Sequence, residues 1–188
     1  MHTFRFAIIA LFLFLTITVP VVSRADSVLK PRTSHRTPPP LTLLDLAGRR
    51  HSLEEYRGKV VVINFFGTWC PPCLQEMPSL LLMAEALKDQ PFVVLAVDVG
   101  DSPARLRQVF GKQRAAFTIL LDSGRLAARS WQAQAFPTSF VLDTEGRIRY
   151  SAEGPIEWDD PGVARPIVDL LPKAPHSPKA EKKAEEGK

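Results

Sequence analysis

The reading of this chain turns on Val60-Val61-Val62-Ile63-Asn64-Phe65-Phe66-Gly67-Thr68-Trp69-Cys70-Pro71-Pro72-Cys73. Seven residues of nearly unbroken apolar character predict a strand buried on both faces. Asn64 is the exception, a polar side chain that needs a hydrogen-bond partner inside the core. The two cysteines are the only ones in 188 residues. With two residues between them, they can close a small disulfide ring and open it again. A helical pattern follows, with apolar residues at Leu74, Met77, Leu81, Ala84 and Leu87. Pro72 suits the first turn of that helix, where its missing N–H has no partner to lose. Cys70 then lies just ahead of a helix N-terminus, where free N–H groups and the helix dipole favour a thiolate. Cys73 lies one turn further in. The chemistry implied is attack by Cys70 on a partner disulfide, then release of the reduced partner by Cys73 as the Cys70–Cys73 disulfide forms.

Other readings of the pair are weaker. A structural zinc site needs about four ligands, and His2, His35, His51 and His176 are scattered. A purely structural disulfide across so short a loop stabilises little. A single catalytic thiol with an incidental second cysteine also stays open. No metal ligand set and no cofactor beyond the Cys70–Cys73 disulfide is expected.

Working outward, the pattern alternates strands and helices. Leu41–Leu46 reads as a strand, and residues 47–50 as a turn. Residues 52–55 read as a helical turn with Ser52 and Glu55 as a capping box. Phe92–Val97 is a second buried strand. Ser102 caps a helix over Pro103–Arg114, Phe117–Leu121 is a strand, and Leu126–Trp131 a short helix. Thr138–Asp143 and Arg147–Ala152 form a hairpin across residues 144–146. Val163–Leu171 is a last helix. This order predicts an α/β domain with a mixed central sheet and helices on its faces.

The ends differ in composition. His2 and Arg5 precede an uncharged apolar run from Phe6 to Val22, and Ser23-Arg24-Ala25 offers small residues at a cleavage site. Residues 1–25 read as a secretory signal peptide or a membrane anchor, with residues 6–22 as the tether in the second case. Export places the thiols where disulfides persist. Residues 26–40 are polar and proline-rich, a linker; residues 41–172 hold the domain; residues 173–188 form a charged tail expected to be disordered. The chain carries 24 basic and 20 acidic residues. Arg5 and Arg24 belong to the leader, so what remains is too near neutral, and too dispersed in charge, for a nucleic-acid partner.

Three further positions stand out. Glu76 follows Cys73 by three residues and shares its helical face. It is either a buried acid with a raised pKa that exchanges a proton with Cys73, or an ordinary glutamate in a first helical turn. Pro137 in Phe136-Pro137-Thr138 precedes a buried strand; trans is the commoner state, cis holding only ~5–6% of X–Pro bonds. Trp69 is either a contact surface beside the nucleophile or part of the core.

The stretch from Val61 through Trp69-Cys70-Pro71-Pro72-Cys73-Leu74-Gln75-Glu76-Met77-Pro78 resembles the active site of thioredoxin-fold proteins, above all the exported TlpA/ResA/DsbE group within the AhpC/TSA-like redoxins. Phe136-Pro137-Thr138-Ser139-Phe140-Val141-Leu142-Asp143 resembles the cis-proline loop of that family and its following strand. The resemblance runs from about Leu41 to Leu171. It implies a thioredoxin fold with an N-terminal strand extension and a central strand–helix insertion over Val99–Leu121. It implies that Cys70 attacks, Cys73 resolves and Glu76 is the buried acid. It implies a substrate surface of Trp69, Pro71, Pro72, Phe136 and a cis Pro137, and a kinking role for Pro78. The implied activity is that of a periplasmic or tethered thiol:disulfide oxidoreductase. It would reduce specific envelope proteins, apocytochrome c or copper-site assembly proteins, and be recharged by a membrane electron donor of the DsbD/CcdA kind.

Two departures matter. Asn64 stands where cytosolic thioredoxins carry a buried aspartate, and Pro71-Pro72 replaces the charged or small first residue of many relatives, so the redox potential does not carry over. Alternatives are an oxidase or isomerase, a peroxidase and a copper chaperone. Peroxidases of this fold place a threonine three residues before the nucleophile, whereas Thr68 is two before Cys70. Copper-delivery relatives have three residues between their cysteines and a late histidine, which this chain lacks between His51 and His176.

Overall fold

The computed structural model describes residues 29–32, 37–111 and 117–172. The expected leader, the charged tail and the end of the helix read as far as Arg114 lie outside the described residues. Eight strands form one sheet: β1 (Lys30–Pro31), β2 (Thr42–Asp45), β3 (Arg50–Ser52), β4 (Val60–Phe66), β5 (Phe92–Asp98), β6 (Thr118–Leu121), β7 (Thr138–Leu142) and β8 (Ile148–Glu153). Among the described residues four α-helices accompany them: α1 (Pro71–Ala86), α2 (Pro103–Phe110), α3 (Leu126–Ser130) and α4 (Pro161–Val168), and Leu53–Tyr56 form a 3₁₀ turn.

The strand order is β1-β8-β7-β4-β5-β6-β2-β3. The centre, β4-β5-β6, is parallel, and β7, β8, β1, β2 and β3 add antiparallel pairs on either side. This is the mixed α/β sheet expected from the sequence. β4 sits in the middle, and all seven of its residues are buried. Alternation along β4 sorts them by face. Val60, Val62 and Phe66 pack in one cluster with Cys73, Met77 and Leu80 of α1, Leu106 and Phe110 of α2 and Ile167 of α4. Val61, Ile63 and Phe65 pack on the other face with Ala127 and Ala128 of α3, Trp131 and Phe140. Helices therefore cover both faces, and every strand residue but Asn64 meets a hydrocarbon environment.

Local chemistry sets the ends of the helices. Pro71 and Pro72 open α1, with Cys70 as its N-cap, in keeping with the reading of Pro72 as a first-turn residue and Cys70 as just ahead of the helix. Ser102 Oγ accepts from Arg105 N–H (3.2 Å) at the start of α2, and Asp160 Oδ1 accepts from Gly162 N–H (2.7 Å) at the start of α4. Glu55 Oε1 accepts from the Ser52 N–H (3.1 Å), the reciprocal bond of the expected capping box. The central insertion expected over Val99–Leu121 holds α2 and β6.

Two strands escape the sequence pattern. Residues 50–52, partly assigned to a turn, form β3 and pair antiparallel with β2. Residues 26–40, read as a linker, contribute β1: Lys30 and Pro31 pair with Ser151 and Tyr150 at the sheet edge. Leu29 beside them is buried, and the Arg32 Nε donates to Ser151 Oγ at 2.7 Å. Proline is acceptable there because an edge strand need not donate from every N–H.

Candidate active site

β4 delivers the chain to the rim of the sheet, Gly67-Thr68-Trp69 turns it, and α1 begins. Cys70 and Cys73 are joined as a disulfide. Cys70 Sγ accepts from the Cys73 backbone N–H at 3.3 Å, so the free donors of the first helical turn point at this sulfur. Cys73 is fully buried, whereas Cys70 keeps 5% of its surface exposed. Of the two residues, Cys70 is the one that reaches the surface.

The Phe136–Pro137 peptide is cis. Although the commoner isomer is trans, here the cis bond brings the Phe136 carbonyl oxygen to 3.5 Å from Cys70 Sγ. The β7 strand begins at once after it, paired to β4 from Thr138↔Phe65 onward, so the same sheet holds both loops. Trp69 is half exposed. It is a surface residue, and its indole meets the Phe136 ring edge-on at 5.7 Å. Pro71 is exposed and Pro72 half-buried. The structure thus brings Cys70, Cys73, Trp69, Pro71, Pro72, Phe136 and Pro137 to one end of the molecule.

Glu76 lies under this surface, 1% exposed. Its Oε1 accepts from Asn64 Nδ2 (2.6 Å) and its Oε2 from the Ile156 backbone N–H (3.1 Å). Burial pushes its pKa up to about 7, although the bonds from Ile156 and Asn64 pull the other way. The Trp158 indole N–H lies close enough to lower it slightly, yet makes no hydrogen bond of good geometry among the described residues. Glu76 is therefore a buried acid and not an ordinary exposed glutamate of a first helical turn. Asn64 also donates to Ser139 Oγ at 2.9 Å. This answers the need for a partner inside β4, while its Oδ1 stays without one. Pro78 sits inside α1 as expected.

Four residues near the site escaped the sequence reading. Gly67 leaves room for Trp69, since a Cβ there would stand 2.5 Å from the indole. Arg125 lies over the Trp69 ring at 5.4 Å. Asp98 and Asp101 sit below Thr68. The signal for Asp98 was a carboxyl ending a buried apolar run, which invites a question about its partner. The signal for Arg125 was absent, because its backbone takes a left-handed conformation (φ 56°) that a sequence does not announce for arginine. No three of His, Cys, Asp and Glu converge as a metal site among the described residues.

A two-residue disulfide ring at a helix N-terminus, one sulfur buried and the other facing a cis-proline loop, defines a thioredoxin-fold thiol–disulfide oxidoreductase. The chain belongs to the AhpC/TSA family, whose model matches residues 35–151, and within it to the TlpA/ResA/DsbE type. It is 33% identical over 136 residues to the thiol-disulfide oxidoreductase ResA of Geobacillus kaustophilus, across 72% of this chain and 77% of that one. A Chlorobium tepidum structure assigned as a thiol:disulfide interchange protein DsbE superposes with a TM-score of 0.66 at 25% identity, covering 72% of this chain and 96% of the other. A secreted thiol-disulfide isomerase from Corynebacterium glutamicum gives a TM-score of 0.62 at 26% identity, with 70% and 84% covered.

Proposed function

We propose that the chain is an exported reductase of specific disulfides in the cell envelope, those of apocytochrome c or of copper-site assembly proteins. The observation that carries the mechanism is the position of Cys70 Sγ, which receives the Cys73 N–H and lies beside the Phe136 carbonyl. In the reduced enzyme the Cys70 thiol loses its proton, and the helix N-terminus stabilises the thiolate. The thiolate attacks one sulfur of the substrate disulfide; a mixed disulfide forms and a substrate thiolate leaves. Phe136, ahead of the cis proline, offers backbone hydrogen bonds to the incoming extended segment, and Trp69, Pro71 and Pro72 flank it. Cys73 then attacks Cys70, the second substrate thiolate leaves, and the Cys70–Cys73 disulfide remains. Glu76 takes the Cys73 proton on the buried side, a step its raised pKa suits near neutral pH. A membrane thiol donor of the DsbD/CcdA kind returns two electrons.

The apolar run over residues 6–22 supports export, by cleavage after Ala25 or by anchoring, and the resemblance to ResA supports reduction. Two experiments test the reading. Equilibration with dithiothreitol should give a potential toward that of thioredoxin (about −270 mV); a value near that of DsbA (about −120 mV) would make it an oxidase. Cys73→Ala in the native host should trap substrate on Cys70, and recovery of no mixed disulfide would count against the transfer mechanism.

A further inference from the structure

Asp98 ends β5 directly beneath the loop that carries the cysteines. In register it stands opposite Phe66 of β4, from which Gly67 and Thr68 lead to Trp69 and Cys70. Its side chain is fully buried, and no cation pairs with it among the described residues. Oδ2 accepts from the backbone N–H groups of Gly100 (3.2 Å) and Asp101 (2.9 Å). Oδ1 is buried without a partner. The Asp101 carboxylate is committed elsewhere: Oδ2 accepts from the Thr68 N–H at 2.6 Å and Oδ1 from the Thr68 hydroxyl at 2.7 Å.

The two acids are neighbours at this turn, since the Asp101 N–H itself donates to the Asp98 carboxylate. Two ionised carboxylates cannot share a buried site cheaply, whereas one proton between them satisfies both. A proton on Asp98 gives its orphan oxygen a hydrogen to donate and removes the clash of two charges, while Asp101 stays ionised and keeps both bonds to Thr68. Burial raises both acids. At Asp98 it prevails, with the Asp101 carboxyl beside it, and pushes the pKa up to about 7. At Asp101 the bonds from Thr68 and Asp98 outweigh burial and hold the group below its usual range.

The groups that neighbouring elements bring near the pair act on Asp101 or turn elsewhere. From α2, Arg105 Nε donates to Thr68 Oγ1 (3.4 Å) and adds attraction for Asp101. At the end of β6, Asp122 donates its N–H to the Asp98 carbonyl (2.9 Å), but its carboxylate turns to the α3 N–H groups of Ala127 (3.2 Å) and Ala128 (2.8 Å). Arg125 passes over Gly100 toward Trp69. Glu76 is bound to Asn64 and Ile156.

We propose that Asp98 and Asp101 are positioning residues of the exchange site: they share one proton, clamp Thr68 from below and so hold the Thr68–Cys70 loop. The site then has a second proton-linked acid besides Glu76. Ionisation of Asp98 sets it against Asp101 and loosens the Thr68 bonds, so exchange at Cys70 slows as pH rises through the titration. The effect on exchange rests on the reading of Cys70 as the attacking thiol.

The test has two arms. Carboxyl carbon shifts in the folded, oxidised protein read the proton without any variant; Asp98 should titrate far above Asp101, near 7, and titration of Asp98 in the ordinary carboxylate range would overturn the proposal. The second arm measures glutathione exchange against pH in Glu76→Gln protein, with Glu76 removed as a titrating group. Asp98→Asn mimics the protonated acid, because its amide has hydrogens to donate and no charge. Glu76→Gln alone should show a fall in rate near 7 set against the rise that Cys70 thiolate formation gives, and the double variant should keep the rise and lose the fall. Asp101→Asn should slow exchange about tenfold at every pH, in line with a lost hydrogen bond to a charged group. The same fall in the double variant would overturn the proposal. A wild type that exchanges no disulfide at any pH refutes the functional reading instead, and leaves the carboxyl titration to decide the shared proton.

Discussion

Replacing Glu76 with Gln tests the buried acid by its effect on stability. Moving a carboxyl from its ordinary 4.5 up to about 7 corresponds to roughly 3 kcal/mol, at about 1.36 kcal/mol per tenfold change in proton affinity. The unfolded chain loses this proton above its ordinary value, whereas the folded protein keeps it until about 7. Between these limits the native state binds more protons than the unfolded one, so stability falls as pH rises, and above them the loss is complete. Glutamine keeps the shape: its amide oxygen can accept from the Ile156 N–H, and its NH₂ can serve the Asn64 oxygen if that side chain turns over. Urea unfolding of the oxidised protein between about pH 4.5 and 8 should therefore show wild type losing some 3 kcal/mol more than Glu76→Gln. Asp98 contributes the same slope to both proteins and drops out of the difference. Parallel curves would refute the claim that burial holds Glu76 protonated.

Asn64→Asp would place a second carboxyl 2.6 Å from Glu76; the pair should then share a proton, and the pH midpoint for stability should rise by at least about one unit. An unchanged midpoint would refute the contact. Ser79 Oγ accepts from the Trp158 backbone N–H at 3.1 Å, so Ser79→Ala should cost about 1–3 kcal/mol in urea unfolding by stranding a buried donor, while the exchange profile keeps its shape. Gly67→Ala should push Trp69 off Phe136, since the new Cβ would meet the indole at 2.5 Å. Tryptophan fluorescence should change and exchange with protein substrates should slow, with glutathione exchange affected less. Unchanged fluorescence would show that the loop absorbs the methyl group elsewhere.

What could be read in advance follows from what is local. The apolar run of β4, the proline-opened start of α1, the Ser102 cap and the hairpin signal at residues 144–146 each express a rule that acts over a few residues: pleat alternation, an orphan N–H, a turn. A cysteine pair at the strand–helix junction locates the exchange chemistry by the same means. Residues 26–40 show where such rules stop. Their proline content reads as linker, yet Lys30 and Pro31 join the sheet because Ser151 and Tyr150, far along the chain, present an open edge.

The site's working properties lie beyond that horizon. Whether Glu76 is an ordinary surface acid or a buried one is settled by Asn64 and by Ile156, 80 residues away. The Phe136 carbonyl reaches Cys70 across 66 residues, and Asp101 reaches Thr68 across 33. Chain spacing determined that two thiols could cycle, and which of them a helix N-terminus would favour. Only the tertiary structure decided which acids are buried beside them, because a pKa depends on what is packed over the carboxyl and which N–H groups reach it, and both are supplied by segments distant in the chain.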